Sequence, residues 1–161
     1  MDTEITKLYS QIFDSNYTTY AVIDGASAPM LLGKLHSVEY SCLLRGELSL
    51  DLAEAAPYLV KLKENSDFTN WLIEYCQSRD CCIYIQSMQN LFSVRKHCRS
   101  LLKAELPDKS VVLFRFYDPR VFKPYMTACV DENDSTPFGT TVTRFTCQTT
   151  TGTKVWDNFT S

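Results

Sequence analysis

The side chains best able to hold a metal or attack a substrate are seven cysteines, Cys42, Cys76, Cys81, Cys82, Cys98, Cys129 and Cys147, and two histidines, His36 and His97. A structural zinc site takes its ligands from short-spaced pairs, because one turn must present two of them to one tetrahedral ion. The sequence has no CxxC pair. Free cysteines in a reducing compartment behave as small buried hydrophobes, so core thiols are the leading reading. A redox or metal role for Cys76, Cys81 and Cys82 stays open beside it. His97 next to Cys98 suggests a base and a nucleophile, but adjacent residues on a helix point about 100° apart and do not meet. The five glycines, at 25, 33, 46, 139 and 152, are too scattered for a GxGxxG turn or a Walker loop. Asp131, Asn133 and Ser135 begin like a calcium loop, which then fails with Thr136 in place of the turn glycine and Val142 in place of the bidentate glutamate. With no nucleophile elbow or HExxH either, the expectation is a protein that is not an enzyme and carries no metal or cofactor.

Charge is the more informative chemistry. The 161 residues sum to a net charge of -3, which hides a strong asymmetry. Residues 1–90 hold 6 basic and 12 acidic side chains, whereas residues 91–124 hold 8 and 3. Wound at about 100° per residue, Arg95, Lys96, Arg99 and Lys103 share one arc with Phe92. Three readings compete for it. A solvated helix face explains the lysines better than the arginines, whose planar forks suit carboxylates. Nucleic acid binding needs basic clusters, but the acidic remainder would repel a polyanion. A protein partner needs only a local patch of arginine and aromatic groups.

The segment FRFYDPR (114–120) adds a second polar cluster. Arg115 falls in a run that reads as an apolar strand, where a buried guanidinium must be paired, and Asp118 or another acid is its natural partner. Arg115, Asp118 and Arg120 would then staple the strand end to its neighbours.

These residues need elements to position them. Ile5, Leu8, Tyr9, Ile12 and Phe13 fall at helical spacing over 2–13, and TTYAVIDGA (18–26) reads as a buried strand entering a turn. A short helix follows over 29–37, then a strand at 41–44, a helical turn at 50–56 and a strand at 58–62 beginning after Pro57. Ser66 or Asp67 caps a helix carrying Phe68, Trp71, Leu72, Tyr75 and Cys76. A strand at 81–87, a helix over about 88–103 and a strand at 110–117, the strongest in the sequence, continue the alternation. A helix to about Ala128 and a β-hairpin over 140–159 across a Thr-Gly turn close the chain. This order predicts an α/β fold, a three-layer-like sandwich with a central mixed, mostly parallel sheet flanked by helices, in one domain over 1–161. No apolar run approaches the roughly 18 residues of a membrane span, and the acidic N-terminal MDTEITK lacks the layout of a secretory signal, so the expected compartment is the cytoplasm.

The series YAVIDGA (20–26), APYLVKL (56–62), DFTNWL (67–72), IYIQS (83–87), LFSVRKHCRSLL (91–102) and VVLFRFYDPRVFKPYM (111–126), with PFG (137–139) as a weaker final element, resembles the domain of type VI secretion effector adaptors, also called Tap or Tec chaperones. The likeness covers about residues 18–146. It implies a cytosolic, non-enzymatic adaptor of Gram-negative bacteria that binds a secreted toxic effector and helps load it onto the C-terminal region of the VgrG spike, without a membrane partner. The family motif maps onto Asp24, Gly25, Pro57, Trp71, Ser87, His97, Arg99, Arg115, Tyr117, Asp118, Pro119 and Arg120. Cys98 stands where the family usually has an aliphatic residue, and members commonly continue into a C-terminal helical region, so the resemblance implies either a short member or a truncated one. On this reading Phe92, Arg95, Lys96, Arg99, Lys103, Tyr117 and Arg120 are the partner-binding residues.

Overall fold

The protein is described by a computed structural model over residues 3–14, 16–131, 138–149 and 152–157. Its elements in chain order are α1 (Thr3–Ile12), β1 (Thr18–Asp24), α2 (Leu31–Lys34), β2 (Tyr40–Cys42), α3 (Leu50–Ala55), β3 (Pro57–Lys61), α4 (Asp67–Cys76), β4 (Cys82–Ser87), α5 (Leu91–Leu101), β5 (Lys103–Glu105), β6 (Val111–Leu113), α6 (Pro119–Asp131), β7 (Arg144–Thr149) and β8 (Gly152–Asp157). Side-chain caps fix several helix starts. Ser49, Ser66 and Asn90 each accept a backbone N–H three residues on, at 3.3, 3.2 and 2.9 Å, and so begin α3, α4 and α5. Residues 132–137 of the acidic loop, which include Asn133 and Ser135, and the turn residues 150–151 lie outside the described residues.

Six strands form one sheet in the order β2-β3-β1-β4-β7-β8, and every neighbouring pair is antiparallel. The expectation of a mostly parallel sheet is therefore wrong, and the topology shows why. β3 and β4, joined through α4, do run in the same direction, but antiparallel β1 lies between them. The apolar runs misled for a related reason. Strands covered on both faces read as continuously hydrophobic whatever their direction. Here Ala21, Ile23, Tyr58, Val60, Cys82 and Tyr84 enter one core with Leu8, Ile12, Leu31, Phe68, Leu72 and Ile73 from α1, α2 and α4. Alternate residues Tyr20, Val22, Leu59, Ile83 and Ile85 enter a second core with Val94 and Cys98 of α5 and Phe122 and Met126 of α6. Phe138 sits among Phe114, Phe116, Phe122, Tyr125 and Phe145, with ring centroids 5.1–6.3 Å apart across the group.

The second correction concerns 110–117. Only Val111–Leu113 is a strand, and it pairs with Lys103–Glu105 in a separate two-stranded hairpin. Val111 and Leu113 are 62% and 58% exposed. Three consecutive β-favouring apolar residues mark a strand, but their burial depends on tertiary placement, which the pattern does not encode. The closing hairpin forms as expected, with β7 against β8 in register from Arg144↔Asp157 to Thr149↔Gly152.

Candidate functional site

Asp24, at the end of β1, organises the first polar cluster. Its Oδ1 accepts the Ala26 N–H at 3.1 Å and its Oδ2 accepts Ser27 Oγ–H at 2.9 Å, capping the turn that follows. Arg115 Nη2 donates to the same Oδ2 at 2.7 Å and lies 3.7 Å from Asp118. The principal partner of Arg115 is thus Asp24, 91 residues away, rather than Asp118. Arg115 does not lie inside a buried strand either: it follows the hairpin, with its side chain 43% exposed. Partial burial opposes its charge, but Asp24, Tyr117 and Asp118 together outweigh this and hold the guanidinium above its ordinary range.

Gly25 and Pro57 belong to the same corner. Gly25 N–H donates to Ala56 O at 2.9 Å, and Asp24 is in register with Pro57. A Cβ on residue 25 would come within 2.5 Å of Glu54 O and 2.6 Å of Ala56 O, so only glycine permits this approach. Asp118 caps α6, its Oδ1 accepting the Arg120 N–H at 2.9 Å, and Pro119 takes the first helical position, where a missing N–H costs no bond. The Arg120 side chain also grips this carboxylate, at 3.1 Å from Nε and 2.9 Å from Nη2, and lies 4.0 Å from Asp80. Tyr117 is 3% exposed and belongs to the second core, which removes it from the expected contact residues. Most of the resemblance motif is therefore architectural. Ser87 Oγ–H donates to Thr141 O at 2.6 Å, and Trp71 stacks on Tyr75 at 5.3 Å with Lys34 over its ring.

The second cluster is carried by α5, whose Val94 and Cys98 are buried. Phe92 is 64% exposed, and the Arg95 guanidinium rests 5.0 Å from its ring centroid. Arg99 reaches across to the edge strand β2, donating from Nη2 to Cys42 O at 2.9 Å, while its buried Nε has no hydrogen-bond acceptor. Burial first, then the charges of Arg95 and Arg45, hold Arg99 below its ordinary range. Arg45, in the loop between β2 and α3, thus joins a group that sequence reasoning built from α5 alone. No spacing rule could have found it, since it stands 50 positions before Arg95 as the lone basic residue between Lys34 and Lys61.

Two lysines expected in the arc part from the arginines. Lys96 faces a shallow cleft with Gln89, Phe92, Ser93, His97, Ser100 and Thr141. Lys103 is off the helix altogether, because α5 ends at Leu101 and Lys103 opens β5. The half-buried His97 ring is held below its ordinary pKa by burial.

All seven cysteines are free thiols, six of them buried. Burial pushes Cys98 and Cys147 up to about 12, and contacts with Cys81 and Cys82, then burial, push Cys76 up too. Among the described residues no group of three or more His, Cys, Asp or Glu side chains could hold a metal ion, and no helix is long and apolar enough to cross a membrane. Neither a curated protein nor a solved structure matches the chain. The corner built by Asp24, Gly25 and the DPR turn lies within residues 19–135, which match the family model described as a domain of unknown function, DUF4123, and the chain belongs to that family.

Proposed function

We propose that this protein is a non-enzymatic adaptor that holds a type VI secretion effector and helps load it onto the VgrG spike, in the cytoplasm of a Gram-negative bacterium. DUF4123 is a family associated with type VI secretion effector adaptors, and the match over 19–135 supports the reading. The observation that carries it into this molecule is the outer face of α5. An exposed Phe92 under Arg95, with no carboxylate within 4.0 Å of Arg95 among the described residues, is surface left free for a partner. The DPR corner then acts as the frame, its charges already satisfied within the fold.

Co-expression with a VgrG spike and a type VI effector from the same bacterium tests the role. The adaptor reading expects both proteins to co-purify with the chain, and expects the Phe92→Ala/Arg95→Glu variant to lose the spike's C-terminal segment while keeping the wild-type melting temperature. Co-purification of neither protein with the wild type would overturn the role. Retention of the spike segment by the folded variant would remove α5 as its contact.

A further inference from the structure

We propose that Arg45, Arg95 and Arg99 together form a carboxylate-binding site that takes an acidic peptide segment of a protein partner. The inference rests on the reading of the α5 face as a docking surface, and it names the chemistry that surface recognises.

The geometry supplies the first reason. Arg95 and Arg99 lie one turn apart on α5, and the bond from Arg99 Nη2 to Cys42 O draws the helix toward the loop that carries Arg45. The mutual influence of the three is felt at Arg99, on which both other charges act. Elsewhere in the fold Arg79 is held by the Tyr75 carbonyl and ring, and three other arginines take a carboxylate. Arg115, Arg120 and Arg144 all do so, with N–O distances of 2.5–2.9 Å to Asp24, Asp118 and Asp157. Arg45, Arg95 and Arg99 have none within 4.0 Å among the described residues.

The second reason is Arg99 Nε, a buried donor without an acceptor. A charged N–H in that condition is uncommon in a folded protein, and since the atom is enclosed, a docking carboxylate would satisfy it through a shift of the Arg99 side chain. Arginine presents a planar fork suited to carboxylates, and Arg95 is further ordered by its seat on Phe92. The exposed part of that ring offers apolar surface to a neighbouring side chain of the same peptide.

Phosphate is the competing anion, and the surroundings disfavour a nucleic acid. A polyanion is held by many basic groups along its backbone. Here Lys103 is off the helix on β5, Lys96 faces an adjoining cleft that shares only Phe92 with the site, and Glu39, Glu47, Asp51 and Glu54 flank Arg45 in the sequence. A short segment with one or two carboxylates matches three arginines in charge, whereas a polyanion would carry further negative charge past those acids.

The test uses the whole chain and a fluorescein-labelled peptide of alternating Glu and Leu, its Gln-for-Glu counterpart, and a short oligo-dT, followed by anisotropy at low salt. The Glu peptide should bind and the Gln peptide should not. Arg45→Gln/Arg95→Gln should weaken binding by about tenfold or more, Arg95→Lys should weaken it less, and Lys96→Gln/Lys103→Gln should leave it nearly unchanged. The Arg99 Nε–H resonance should shift as the Glu peptide is added. Failure of the wild type to bind the Glu peptide, tighter binding of oligo-dT, equal affinity in the double arginine variant or an unmoved Arg99 resonance would each overturn the site. Partner co-purification is a separate readout, so the site can fail while the adaptor role stands.

Discussion

Asp118 illustrates how one side chain sets both a helix start and a local charge balance. Its carboxylate is buried, which pushes its pKa up, but the hydrogen bonds from Arg120 and the charges of Arg120 and Arg115 outweigh this and hold it below the usual carboxylate range. A carboxyl depressed by folding stabilises the native state above its unfolded pKa, and that contribution disappears as pH falls through the lower folded value. Asp118→Asn keeps a capping oxygen and loses the charge, whereas Asp118→Ala loses both. Urea unfolding at neutral pH should place the alanine variant about 1 kcal/mol or more below wild type. The gap between wild type and Asp118→Asn should close as pH is taken below about 4. A gap that stayed constant with pH would mean that the charge contributes nothing and that the Arg120 pairing is a solvated contact. The nearby Arg115–Asp24 pair shows what a sequence leaves unread at this scale. That Arg115 needed an acid followed from its apolar neighbours, with Asp118 the nearest in sequence, but only the return of the chain beside the end of β1 selects the one 91 residues away.

At the scale of elements, the positions of helices and strands follow from periodicity and caps, and their directions do not. TTYAVID and CCIYIQS are strands because each side chain has an apolar layer to enter, a property shared by parallel and antiparallel sheets with two covered faces. SVVLFRFY carries the same β-branched signature, but only Val111–Leu113 is a strand, exposed and paired locally with β5, whereas Phe116 and Tyr117 return to the second core. The difference can be measured. Val111→Lys/Leu113→Lys would unfold the protein if these residues occupied a central strand, since two ammonium groups would be forced into the core. With both side chains more than half exposed, the variant should instead remain within about 0.5 kcal/mol of wild type in urea and lose apolar surface, seen as weaker binding of a hydrophobic dye. A large stability loss would place the hairpin against the body of the protein.

At the scale of the molecule, the net charge of -3 combines an acidic first part over 1–90, a basic segment over 91–124 that folds into α5, the β5–β6 hairpin and the start of α6, and a mildly acidic final part over 125–161. The fold answers part of that basic charge at the Asp24 and Asp118 corner and leaves Arg95 and Arg99, together with Arg45 from the first part of the chain, without a carboxylate within 4.0 Å among the described residues. Two opposed effects follow. The distant acidic residues attract the cluster, while its own members repel one another at close range. Attraction over long distances through solvent is weak once ions are present, because the screening length shrinks from roughly 30 Å at 0.01 M to about 3 Å at 1 M salt. Repulsion acts where the charges are nearest and Arg99 is partly desolvated, so it should dominate the local balance. Arg45→Gln/Arg95→Gln is therefore expected to melt slightly higher than wild type at low salt, by no more than about 1 kcal/mol of stability. Added salt should then raise the wild type more than the variant, bringing the two melting temperatures together. If the two respond to salt in parallel, the three guanidinium groups do not repel one another in the free protein. A higher melting temperature bought by removing two arginines would mark them as charges the fold itself does not require, which is the behaviour expected of groups kept for a partner.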